Sequence, residues 1–193
     1  MPVADLPRPW SDRAGDVVVV GRLTPQKRIH LALEAMAIAR ARDLGRCLVI
    51  VGDGPSRAAL ERLAGSLQLG NAVRFVGEVA PEAVPEYFEH AVCCLMPADG
   101  EGFGLAAAEA LMQGVPVVAC RDGGGLVDLV PTNGAGRVVA PDGNSIALAL
   151  EELTSDPGAG PAARVAGAEW RSRLTPDFVA ERCMNWYQRA LHA

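Results

Sequence analysis

Short apolar, β-branched runs alternate along the chain with longer stretches in which apolar side chains recur every three or four positions. That alternation predicts strands separated by helices. Strands are expected over 17–22, 47–51, 73–77, 92–96, 115–120 and 137–140, and helices over 29–43, 55–69, 81–90, 105–113, 125–130 and 145–154. The first helix carries an apolar stripe of Leu31, Ala32, Ala35, Met36 and Ala39. The fourth strand run, AVCCLM, is apolar on both faces, as a buried parallel strand must be. Pro55 and Pro81 sit where a missing N–H costs nothing in a first helical turn, Gly114 stops a helix, and Asn144 is the expected cap of the helix after the sixth strand. The stretch TSDPGAGPAA, 154–163, breaks the pattern, and two amphipathic segments, 164–173 and 176–192, are expected to close the chain as helices.

Parallel neighbours need crossovers, and the crossovers cover both faces of the sheet. The predicted fold is therefore α/β: a doubly wound, parallel, six-stranded Rossmann-like sheet with helices on both faces and a helical C-terminal tail. Residues 1–16 read as a linker or lead-in, 17–156 as the α/β domain, and 157–193 as a tail packing on the same domain. In such sheets ligands bind at the carboxyl edge of the strands, near the topological switch point. The informative loops are then those after strands one, two, four and five.

Composition narrows the chemistry. The 193 residues, half of them hydrophobic and 21% charged, describe one globular domain that buries roughly 70% of its extended surface. A net charge of −5 offers no field for nucleic acid or an acidic membrane surface, so any anion must be held by a few placed groups. The five cysteines are odd in number, lack paired ligand spacing and fall mostly in apolar runs, which points to a reduced, cytoplasmic setting. No apolar run approaches the ~20 residues of a membrane span, and the acidic, proline-bearing N-terminus does not read as a signal peptide. The three histidines, His30, His90 and His192, have no neighbours in a nucleophile arrangement, so neither a catalytic triad nor a metal site is expected.

The loop after strand one reads GRLTPQKR and holds Lys27, the sole lysine among 18 basic residues. Gly21 allows tight backbone packing, while Arg22 and Lys27 can both point over the strand end. A planar fork and a mobile ammonium five residues apart suit a diphosphate, although compositional drift also accounts for a lone lysine. The loop after strand two, VGDGP, leads into a helix whose free N–H groups could meet an anion, but plain turn chemistry is the favoured reading. After strand four comes PADGEGFGLAAAEALMQG, in which Gly100, Gly102 and Gly104 allow close backbone approach and a helix starting near Leu105 aims its free N–H groups at the loop. Glu101 faces the same pocket. Glu109 lies about 7 Å further along the helix axis, at the right remove to accept hydrogen bonds from ribose hydroxyls. Read singly, Glu101 is also a solvated loop charge and Glu109 a dipole-favoured early-helix acid. The glycines after strand five, CRDGGGLVDLV, admit a further anion cradle.

Taken in order, GRLTPQKR, VGDGP, VRFVG, the EGFGLAAAE block with its two glutamates eight residues apart, GVPVVA and the later GG turn resemble the C-terminal, donor-binding domain of the retaining nucleotide-sugar glycosyltransferases of GT-B fold, the group 1 family. The resemblance runs from about Val17 to Leu153. It implies that Gly21, Arg22 and Lys27 meet the donor diphosphate, that Glu109 holds the ribose, and that the backbone of Gly102, Phe103, Gly104 and Leu105 contacts phosphate or hexose. It also implies that Glu101 binds hydroxyls of the transferred sugar and that Val76 and Gly77 line the base. Glu101, Arg22 and Lys27 would be the catalytic groups and a UDP- or GDP-sugar the substrate, with no cofactor and no Mg²⁺. An N-terminal acceptor-binding domain or subunit would be the partner and the only route to peripheral membrane contact, and the isolated chain would be half an enzyme. Two other readings are a stand-alone nucleotide-sugar-binding module without turnover and an NAD-linked oxidoreductase. The second lacks the glycine-rich first loop that such a cofactor needs.

Overall fold

Val17 and Val19 of the first strand face one side of a sheet and Val18 the other, and Cys93 and Leu95 alternate in the same way with Cys94 and Met96 in the fourth strand. Both sides are apolar because both are covered, which is why these runs lack a polar alternation. The computed structural model describes residues 15–42 and 44–175, together with Asp177 and Met184. Its elements in chain order are β1 (Asp16–Val20), α1 (Ile29–Ala41), β2 (Leu48–Val51), α2 (Arg57–Ser66), β3 (Val73–Gly77), α3 (Val84–Glu89), β4 (Ala91–Met96), α4 (Leu105–Met112), β5 (Val117–Cys120), α5 (Leu126–Leu129), β6 (Gly136–Val139), α6 (Gly143–Ser155) and α7 (Ala159–Arg173).

The strands form one parallel sheet in the order β3-β2-β1-β4-β5-β6. The chain leaves β1 in one direction and returns to its other side at β4, so the switch point falls between β1 and β4. Helices α1, α2 and α6 cover one face, with Leu33, Met36, Leu60, Ile146 and Leu150 in that core. Helices α3, α4, α5 and α7 cover the other, with Phe88, Leu111, Leu126 and Ala163. Each fully buried Leu or Ile contributes about 1.5–3 kcal/mol relative to exposure.

The six-stranded, doubly wound expectation is met, and three local expectations are corrected. The cap of α6 is Asp142 and not Asn144: its Oδ1 accepts the Ser145 amide at 2.9 Å and its Oδ2 the Ser145 hydroxyl at 2.8 Å. The expected break over 154–163 is mostly helix, since α6 continues to Ser155 and α7 starts at Ala159. Pro161 is tolerated there because the first-turn N–H groups of a helix have no intrahelical acceptor. The expected helix over 81–90 divides into a 3-10 turn, Pro81–Ala83, and α3. The expected lead-in is described only at Gly15 and Asp16, and the helix expected over 176–192 only at Asp177 and Met184, so both otherwise lie outside the described residues.

Three of the cysteines are sealed in this core. Burial pushes the Cys93 thiol up to about 12 and that of Cys120 up to about 11, and raises Cys94 strongly as well. Thiolate is the reactive form. Cys93, Cys94 and Cys120 are therefore expected to resist alkylation in the native protein at pH 8 and to react only on unfolding, as read by peptide mass mapping against the half-exposed Cys47.

Candidate functional site

Past β1 the chain makes a 3-10 turn, Pro25–Lys27, closed by the Lys27 amide on Thr24 O at 3.0 Å and the Arg28 amide on Pro25 O at 3.1 Å. The turn aims Lys27 back over the strand end, where its Cε comes within 3.8 Å of the place a side chain on Gly21 would take. There Lys27 Nζ donates to Glu101 Oε2, across 74 residues of sequence, with both side chains only about a fifth exposed. Gln26 reinforces this junction: its Nε2 donates to Asp99 O at 3.0 Å, and its own carbonyl accepts the Asp99 amide at 2.9 Å. The loops after β1 and β4, separate in sequence, thus form one wall at the switch point.

That wall ends on α4. Gly104 precedes the helix with φ 81° and ψ 56°, a left-handed conformation, and a side chain there would come within 2.7 Å of Leu126 Cδ1. Both constraints require glycine. No side chain caps α4, and Gly104 O accepts from the amides of Ala107 and Ala108. The amides of Leu105 and Ala106 consequently have no acceptor among the described residues. Free first-turn amides and the positive dipole end suit an anion beside Lys27. Phe103 meets Trp170 of α7 edge-on, at 5.8 Å between ring centroids and 81° between planes, which braces the loop from below. Leu105 is 67% exposed and leaves an apolar spot at the mouth.

Arg22 is exposed, and among the described residues its guanidinium takes no partner. Glu109 is exposed one turn into α4, yet local desolvation raises its carboxyl above the ordinary glutamate value, and its charge is felt at the buried Cys94 thiol. Gly100 and Gly102 are exposed in the loop. Val76 and Gly77 end β3 on the same edge of the sheet, two strands from β1 or about 10 Å at 4.8 Å per strand. Gly77 O accepts the Gly52 amide at 2.7 Å.

The loop after β2 is the plain turn expected of it. Arg57 pairs with Asp53 at 2.8 Å and Glu61 at 2.9 Å, and the Gly54 amide, followed by Arg57, holds the Asp53 carboxyl below its usual range. The anion cradle expected after β5 is corrected. Gly124 and Gly125 pack against the backbone of residues 100–102, and α5, four residues long, offers no extended N-terminal field. Their smallness serves contact between loops. Sequence reading also missed Arg28 and Asp122, whose guanidinium and carboxylate meet in two hydrogen bonds of 2.8 and 2.6 Å. Nothing in their spacing of 94 residues announces the pair. A cavity of about 220 Å³ lined by Asp16, Arg74, Glu86, Tyr87 and His90 lies at the other, amino-terminal end of the sheet and shares no residue with the mouth.

The sequence profile described as Glycosyl transferases group 1 matches residues 8–169. A GDP-mannose-dependent alpha-(1-6)-phosphatidylinositol monomannoside mannosyltransferase of Mycobacterium tuberculosis is 37% identical over 164 residues, covering 80% of this chain and 42% of that protein. A D-inositol 3-phosphate glycosyltransferase of Corynebacterium urealyticum is 40% identical over 146 residues, covering 71% of this chain and 34% of that protein. Among solved structures, Anabaena HepE in complex with UDP-glucose superimposes with a TM-score of 0.79 at 23% identity, over 91% of this chain and 49% of that one. The chain spans about two fifths of the first of these relatives. Among the described residues no helix is long and apolar enough to cross a membrane.

Proposed function

The chain belongs to the group 1 glycosyl transferases, and from that premise we propose that the mouth of its sheet binds the nucleotide-sugar donor of a retaining hexosyl transfer. The observation that carries this reading is the meeting of Lys27 and Glu101 beside the uncapped start of α4. Arg22, Lys27 and the α4 amides take the diphosphate, the backbone of Gly21 and of residues 102–105 lies along it, Glu109 holds the ribose, and Val76 and Gly77 flank the base. As the bond from sugar to phosphate breaks, negative charge grows on the departing nucleoside diphosphate, and the two cations with a helix N-terminus stabilise that charge. Glu101 now pairs with Lys27. An arriving diphosphate replaces the carboxylate as the lysine's partner and releases Glu101 to accept hydrogen bonds from the sugar.

The acceptor comes from an N-terminal domain or subunit outside these residues, in the cytoplasm, and any contact with a membrane surface runs through it. The isolated chain is expected to bind donor without turning it over. One relative is named for GDP-mannose and one structural neighbour holds UDP-glucose, so both nucleotides belong in the test. Calorimetric titration with UDP and GDP should give saturable binding to at least one, weakened several-fold by Arg22→Ala. No binding to either, with ADP and dTDP also silent, overturns the proposal.

Glu109 supplies a pH signature. Its raised pKa means that protonation on acidification begins above the ordinary glutamate value of ~4.3. Ribose hydroxyls donate best to the ionised carboxylate, so affinity should fall as pH drops through that raised pKa. Glu109→Gln should bind more weakly at neutral pH and lose this acid-side decline. Measuring guanosine or uridine beside the diphosphates separates the effect from phosphate titration.

A further inference from the structure

Arg28 occupies the left-handed region, φ 46° and ψ 40°, between the 3-10 turn and α1. For a residue other than glycine this conformation costs about 1–2 kcal/mol. Its side chain accounts for an arginine there. Nε donates to Pro97 O at 2.9 Å, Nη2 to Ala98 O at 3.0 Å, and Nη1 and Nη2 to the two oxygens of Asp122 at 2.8 and 2.6 Å. The Arg28 side chain is 15% exposed. One planar fork therefore joins the loops after β1, β4 and β5, with a bidentate geometry that a lysine cannot reproduce.

Asp122 is the other hub. Its side chain holds Arg28, and its backbone carbonyl accepts the amide of Gly100 at 3.0 Å. Lys27 is the residue before Arg28 and Glu101 the residue after Gly100. The two groups that converge at the mouth are thus each one residue from a contact with Asp122, and the pair sets how far apart they stand. Gln26 and Asp99 tie the same two loops further out, but they do not reach the loop after β5.

We infer that Arg28, through Asp122, is a positioning residue for donor binding: it touches no ligand and fixes Lys27 against Glu101 and the start of α4. This deepens the donor-site reading and rests on it.

The test is a double-mutant cycle with Arg28→Gly and Asp122→Asn, reading UDP and GDP affinity by titration calorimetry and the thermal midpoint separately. Glycine suits the left-handed backbone, so Arg28→Gly removes the clamp and relieves the strain together. Asp122, 40% exposed, tolerates the isosteric change, which keeps the test alive if the glycine variant folds poorly. Each single variant should bind the preferred nucleotide about tenfold more weakly while remaining folded at the assay temperature. The double variant should be no worse than either single one, because both break one device. Arg28→Lys, which can meet Asp122 but not both carbonyls as well, should recover part of the loss. Wild-type affinity in Arg28→Gly and Asp122→Asn, or losses that add independently, overturns the inference while leaving the donor site standing. Failure of the wild-type chain to bind either nucleotide overturns both.

Discussion

Replacing Lys27 with alanine is expected to weaken nucleoside diphosphate binding by about ten- to a hundredfold. A charge-assisted hydrogen bond contributes about 1.5–3 kcal/mol, and each 1.4 kcal/mol is a factor of ten. Stability should change little, because a partly exposed ion pair of this kind is worth about 1 kcal/mol or less. Glu101→Gln separates the two partners. It removes the carboxylate that now occupies the ammonium and lies near the anion site, so UDP or GDP alone should bind as well as before or more tightly. The matching nucleotide sugar should lose several-fold relative to its nucleotide. If Lys27→Ala binds UDP and GDP with unchanged affinity, the ammonium has been assigned the wrong partner.

The second large effect is expected at a residue that touches neither cation. Gly125 has φ −61° and ψ −15°, ordinary helical values that alanine adopts without strain. A methyl group there would nevertheless overlap the carbonyl oxygen of Gly102. That oxygen belongs to backbone and cannot swing aside as a side chain would, so Gly125→Ala must push the loop after β4 away from α5. Forced overpacking costs about 1–3 kcal/mol, which for a chain of this size lowers the thermal midpoint by about 2–12 °C. The same displacement carries Glu101 and the start of α4 away from Lys27, so nucleotide affinity should fall together with stability. Unchanged stability would mean that the loop yields freely, and the rigid wall described above would then be wrong.

The large features of this fold are written in short-range pattern. The valines of β1 and the AVCCLM run of β4 announce buried strands because alternate side chains must enter two different cores. The EGFG run announces an uncapped helix start because Gly104 leaves no side chain to cap it. What escaped reading depends on partners distant in sequence. Gly143 is buried, and a side chain there would come within 3.0 Å of Glu34 Cβ, so glycine lets α6 approach α1 while Asp142, and not the expected Asn144, caps the helix. The glycines after β5 look like a ligand cradle and serve as a seat for another loop. Arg28 appears as one more basic residue until Pro97, Ala98 and Asp122 are placed around it.

Lys27 and Glu101 were legible as types at suggestive positions. Their contact was not, since it needs the β1 and β4 edges side by side.

The account stands on one claim, that the carboxyl edge between β1 and β4 receives a nucleoside diphosphate. An ¹H–¹⁵N NMR titration of the chain with GDP and with UDP tests it most directly. The account predicts saturable shifts concentrated in the amides of residues 21–24, 26–28 and 100–106, with Leu105 and Ala106 among the largest. Shifts gathered instead around Asp16, Arg74 and His90 at the opposite end of the sheet, with those amides still, would contradict it.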